Sequence, residues 1–151
     1  MGFFGNKAAV DVDPELAAIV TSSTDRDRAS ALKTLAKCQA GIRASLESGE
    51  QPLCLAQYLP GVGAYNLLLV TNRRTAEVKG GKFVRQLRHD EVAETKLGNL
   101  PNGSTAVTIE STAAKLDYQP NDPARFEKII FLEVATPRMG NAICAAIDQF
   151  L

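Results

Sequence analysis

The chain has 151 residues, 45% of them hydrophobic and 23% charged, and its 17 basic and 17 acidic side chains cancel to zero net charge. A chain of this length and apolarity folds as one ordinary domain rather than staying disordered. Without net charge it has no global field to draw in nucleic acid or an anionic membrane.

The opening MGFFGNK lacks the charged, apolar and cleavable parts of a signal peptide, and Asn6 stands where a myristoylation pattern requires Ser or Thr. No apolar run approaches the length needed to span a bilayer. Phe3 and Phe4 could dock on a partner or membrane surface, or fold against their own domain. Residues 1–12 are therefore read as a loose terminus.

Asp13-Pro14-Glu15 is a helix start, with Asp13 as cap and proline at the first helical position. Leu16, Ile19 and Val20 give this short helix one apolar edge, and it ends in Thr21-Ser22-Ser23. A second, longer helix is predicted from Ser23 or Thr24 to Ser48. Asp25 and Asp27 suit the positive end of its dipole, and Gly49 closes it. Its stripe of Ala29, Leu32, Leu35, Ala36, Ile42 and Leu46 is amphipathic at helical spacing, and Arg26, Lys33, Lys37 and Arg43 lie opposite. Gly41 weakens the middle by about 1 kcal/mol relative to alanine, which suggests close packing there. The stripe must lie on the sheet of its own domain or on a second molecule. Leu32, Leu35, Ile42 and Leu46 are thus the candidate helix interface.

Pro52 to Leu59 alternates as a strand, with Leu53, Leu55 and Gln57 on one face and Cys54, Ala56 and Tyr58 on the other. In Pro60-Gly61-Val62-Gly63-Ala64 the GxG lacks the lysine, the full spacing and the following helix of a phosphate loop, so it reads as a turn. Leu67 to Val70 is a buried strand closed by Thr71-Asn72-Arg73-Arg74. Asn72 tolerates the positive φ of a tight turn, and the arginines can stay solvated at its edge. Thr75 to Lys79, Gly80-Gly81 and Phe83 to Arg88 continue a β-meander, since Gly-Gly between strand-like runs is a hairpin signal. His89-Asp90-Glu91 then forms an acidic turn before a strand from Val92 to Leu97.

The order LLLVTNRR, a short strand, Gly-Gly, FVRQLRHDEVAETKL and a Gly-bounded strand resembles the bacterial pleckstrin-homology-like (PH-like) domain. The resemblance covers Glu50 to Leu151. It implies an α+β fold in which a bent barrel of seven antiparallel strands is plugged by a C-terminal helix. Residues 13–49 are then a helical extension and 50–151 the domain. Familiar pleckstrin-homology domains that hold phosphoinositides do so with Lys and Arg around the first hairpin loop, but the corresponding Pro60 to Ala64 holds no basic residue, so that lipid site does not carry over. Members of the family also assemble into rings, and their barrels leave an open sheet edge and a groove beside the final helix where a peptide can add a strand.

Gly98 to Gly103 is loop chemistry, Ser104 to Ser111 alternates as a strand, and Ala113 to Tyr118 could extend it or pair back on it. Gln119 to Pro123 breaks the chain, and Ile129 to Ala135 is the last strand. Thr136-Pro137 opens the final helix, whose Met139, Ile143, Ile147 and Phe150 are expected to plug the barrel against Leu67, Leu69 and Ile109.

The chemistry-bearing residues point away from catalysis. Cys38, Cys54 and Cys144 are odd in number, unpatterned and set among apolar neighbours, which suits buried thiols in a reducing cytoplasm. The single His89 has no metal-ligand or triad spacing and reads as a solvated turn residue. No catalytic residue, metal or cofactor is expected. Between Gln51 and Leu100 seven basic residues face four acidic ones, an excess of +3, so Arg73 and Arg74 are candidate contacts for an anion or partner. The expected function is a cytoplasmic protein-interaction or self-assembly module. The alternative is a peripheral binder of anionic lipid using Phe3, Phe4 and the Arg73-Arg74 turn.

Overall fold

A computed structural model describes residues 11–59, 66–112 and 129–151. Phe3, Phe4, the 60–64 link and the segments 113–118 and 124–128 lie outside these.

The described elements run α1 (Pro14–Ala18), β1 (Val20–Thr21), α2 (Asp25–Ser45), β2 (Pro52–Gln57), β3 (Asn66–Thr71), β4 (Arg74–Lys79), β5 (Lys82–Arg88), a 3-10 turn (His89–Glu91), β6 (Val92–Asn99), β7 (Thr105–Ser111), β8 (Ile129–Val134) and α3 (Pro137–Asp148). They form a mixed α+β fold with a five-stranded sheet, ordered β1-β2-β3-β4-β5, and a three-stranded sheet, β6-β7-β8. The expected closed seven-stranded barrel is not formed among the described residues. β5 and β6, consecutive in the chain, belong to different sheets, and a backbone bridge from Leu59 to Glu133 ties one sheet to the other. A further departure is β1, which replaces the expected end of the first helix and pairs parallel with β2, Val20 opposite Leu55. The Leu55 amide donates to the Ile19 carbonyl at 2.9 Å, so the edge of β2 draws these residues out of helix.

Two cores lie on opposite faces of the five-stranded sheet. β3 is buried along its whole length, and alternation sends its side chains to both cores. Leu68 and Val70 join Ala56, Tyr58, Val107, Ile109, Ile130 and Leu132 between the sheets, where Met139, Ile143 and Ile147 of α3 close the core. Leu67 and Leu69 instead join Leu55 and Val78 under Leu35, Cys38 and Ile42 of α2. The expected plug is therefore correct for Met139, Ile143 and Ile147 against Ile109, but its sheet partners are the even-numbered leucine and valine. Phe150 is a second correction. α3 ends at Asp148, so Phe150 leaves the helical stripe and is 39% exposed.

The helical segment 13–49 is built into this body. Thr24 caps α2 by accepting from the Asp27 amide, and the helix stops at Ser45 because Leu46 turns extended. The candidate interface stripe is spent in cis, with Leu35 and Ile42 fully buried on the sheet and Leu32 and Leu46 packed at its margin. Arg26, Lys33, Lys37 and Arg43 face outward as expected. Gly41 sits on the Gly80-Gly81 hairpin, whose glycines take φ of 58° and 82°. A Cβ at Gly41 would lie 2.8 Å from the backbone carbon and Cα of Gly81, so the two backbones meet where no side chain fits. Helix propensity alone says that Gly41→Ala stabilises by about 1 kcal/mol. We expect the opposite sign, a loss of roughly 1–3 kcal/mol from overpacking against a backbone that cannot yield. A raised melting temperature for Gly41→Ala would disprove that packing.

Candidate functional site

The helix caps and strand ends described above converge at one corner of the molecule. α2 begins there, β1 ends there, β2 runs on to Leu59, and β8 hands over to α3. The Leu59 amide donates to the Glu133 carbonyl at 2.9 Å, which holds the end of β2 against β8. The Thr136 hydroxyl accepts from the Met139 amide at 3.4 Å and sets the first turn of α3 beside it. Arg28 reaches back from α2 to the carbonyls of Val20 and Ala17, at 3.3 and 3.0 Å, and fixes β1 over the helix start.

These elements enclose a pocket of about 130 Å³. Ala31, Leu59, Ala135 and Met139 supply its apolar lining, and Thr21, Ser22, Asp27, Ser30 and Gln57 supply polar groups. The Ser23 hydroxyl donates to Asp27, and the Gln57 amide donates to the Thr34 hydroxyl at 2.9 Å, so the polar side chains are held in place. Leu59 is 41% exposed, an apolar side chain left at the surface. Lone sequence signals could not reveal this pocket, because its walls come from four elements and include the unforeseen β1.

The sequence candidates lie elsewhere. Arg74 is not solvated. Its Nε and Nη2 donate to the two carboxylate oxygens of Glu50, both at 2.8 Å, Nη2 also donates to the Ser45 carbonyl, and Nη1 donates to Gln86. Its guanidinium lies 4.8 Å from the Phe83 ring centre. Burial pushes Glu50 up, but Arg74, the Glu47 amide and the Thr71 hydroxyl outweigh it and hold the carboxyl at about 2. Arg74 is thus a structural cation and no contact for an outside anion. A charge reversal there would report on folding rather than on lipid binding.

Arg73 is half-exposed, pairs with Glu47 at 3.3 Å and donates to the Ser48 carbonyl at 2.7 Å. Asn72 needs no positive φ. Its side chain instead accepts from the Gln51 amide at 2.7 Å and donates to the Gly49 carbonyl, tying the turn to the segment before β2. His89 is a further correction, since it is buried rather than solvated. Its Nε2 lies 2.7 Å from the Thr71 carbonyl, which requires that nitrogen to carry the proton. Phe150 stacks on the ring at 4.3 Å, and Nδ1 is buried without a partner among the described residues.

A second buried polar cluster sets the Tyr58 hydroxyl beside Asn66 and Glu77, and Glu77 lies 3.8 Å from Arg85. Burial and then the charge of Glu77 push Tyr58 up to about 12, and burial raises Glu77 above the usual carboxylate range. The three cysteines are buried thiols, as expected, and burial raises Cys54 to about 12, far from the reactive range. Among the described residues no three His, Cys, Asp or Glu side chains cluster to hold a metal, and no helix is long and apolar enough to cross a membrane. Comparison of the sequence with protein-family models and with curated proteins finds no match.

Proposed function

We propose that this chain is a non-enzymatic interaction module of the PH-like type that captures one apolar side chain of a partner protein in the corner pocket. The observation that carries this reading is the size and lining of that pocket. Small-molecule sites generally span about 300–1,000 Å³, whereas a dry cavity of about 150 Å³ takes a single benzene-sized group. At about 130 Å³, the pocket matches one aliphatic or aromatic side chain. The polar groups beside the apolar lining suit the peptide backbone on either side of such an anchor. The PH-like assignment draws its support from the two sheets packed over one core with the final helix across both. Among the described residues the lipid reading has less support, because Arg74 is consumed internally and Arg73 is paired.

Ala135→Leu places three more carbons at the pocket wall. Peptides selected from a random display library on the unmodified protein should share an apolar anchor. They should lose roughly ten- to hundredfold in affinity for the variant, the worth of one buried apolar side chain at about 1.5–3 kcal/mol. Equal binding to a variant with an unchanged melting temperature would place the interaction elsewhere and refute this reading.

A further inference from the structure

Among the described residues the two sheets present four edge strands, and an exposed edge is a template for pairing unless something blunts it. Three of the four are blunted. β1 has only two residues, and its Val20 carbonyl accepts from Arg28. β5 is bent by a bulge at Val84, where Glu77 pairs with Arg85 but Val78 pairs with Phe83. On β8 the Glu133 carbonyl accepts from Leu59 and the Ile129 carbonyl from Arg85, at 2.9 and 3.0 Å.

β6 differs. It is the longest strand at eight residues, and Lys96 to Asn99 are exposed. A bulge at Ala93 disturbs only its beginning, and Glu94 to Asn99 keep regular register with β7. Beyond that bulge, neither of the other two devices covers the edge of Glu94 to Asn99 among the described residues. α3 packs on one face of the strand, where the Thr95 hydroxyl donates to Asp148 at 2.7 Å. A lysine at mid-strand usually guards such an edge, but here Glu94 stands two residues away on the same face.

We propose that β6 pairs antiparallel with β6 of a second copy about a two-fold axis at Thr95. A two-fold pairing sets residue i opposite residue j and j opposite i. With Thr95 on the axis, Lys96 of each copy falls opposite Glu94 of the other, so the guard becomes an attraction counted twice. Leu97, which packs on Gly140 of α3 and is still 41% exposed, falls opposite Ala93 of the other copy. An axis at Lys96 would oppose like charges, so the charges select the register. The interface is independent of the corner pocket and makes the module bivalent.

Light scattering at about 100 μM should give twice the chain mass, since a dissociation constant near 10 μM is then well exceeded. Lys96→Glu and Glu94→Lys should each weaken self-association by about tenfold or more while leaving the melting temperature near that of the unmodified chain. Mixed in equal amounts they should restore a dimer containing one copy of each, because every opposed pair is again of opposite sign. A monomeric unmodified chain at 100 μM overturns the proposal. So does a dimer indifferent to both charge reversals, or a pair of folded variants whose mixture stays monomeric.

Discussion

Replacing Arg74 by alanine should lower the unfolding free energy by roughly 3–5 kcal/mol, because it strands the Glu50 carboxylate in a site closed to water. The same change leaves the Ser45 carbonyl at the end of α2 and the Gln86 side chain without their donor. Arg74→Lys should recover little, since an ammonium cannot reproduce the two-pronged contact with Glu50 or the stacking on Phe83. A double change of Glu50 to Leu and Arg74 to Met should recover most of the loss, because it removes both charges together.

The pair also sets an acid limb. Glu50 titrates at about 2 in the folded chain against an ordinary 4.5, so between those values the unfolded chain binds more protons. Stability is then fully present above about pH 4.5 and falls as the pH drops toward 2, by on the order of 3 kcal/mol. Glu50→Gln should flatten that limb in urea titrations at pH 2 to 6. A limb of unchanged slope would mean that Glu50 does not hold its proton so weakly.

Ile143→Ala should cost roughly 2–5 kcal/mol. Ile143 is fully buried where α3 meets the core between the sheets, so truncation opens a cavity bounded by both sheets and leaves little to collapse into it. A shift of the denaturant midpoint at constant slope would identify the loss as stability alone. Phe150→Ala on the same helix end should cost far less, about 0.5–1.5 kcal/mol, since its ring is partly exposed and its contact with the core is the stack on His89. An unchanged midpoint for Ile143→Ala would show that α3 does not hold the core together.

Local chemistry made several elements legible. Thr24 and Thr136 cap their helices as their residue types predict, and Pro137 stands at a first helical position. Gly80-Gly81 takes the positive φ that turns β4 into β5. The alternation of Cys54, Ala56 and Tyr58 against Leu55 separates the faces of β2 correctly. These signals are legible because each depends on residues within one turn or strand.

What escaped the sequence depends on neighbours far along the chain. Alternation divides Leu67 and Leu69 from Leu68 and Val70, but only the docking of α2 and α3 on opposite faces decides which pair meets which helix. Arg74 and His89 read as solvated turn residues because Glu50, Phe83 and Phe150 reach them across 24, 9 and 61 positions. β1 has too few residues for any periodicity and exists because β2 offers it an edge. Apolar pattern, caps and glycines determined which stretches became helices and strands. Only the tertiary structure decided which polar groups are buried, which strand edges stay open and where four elements leave a pocket, because those depend on the three-dimensional neighbours that cover each group.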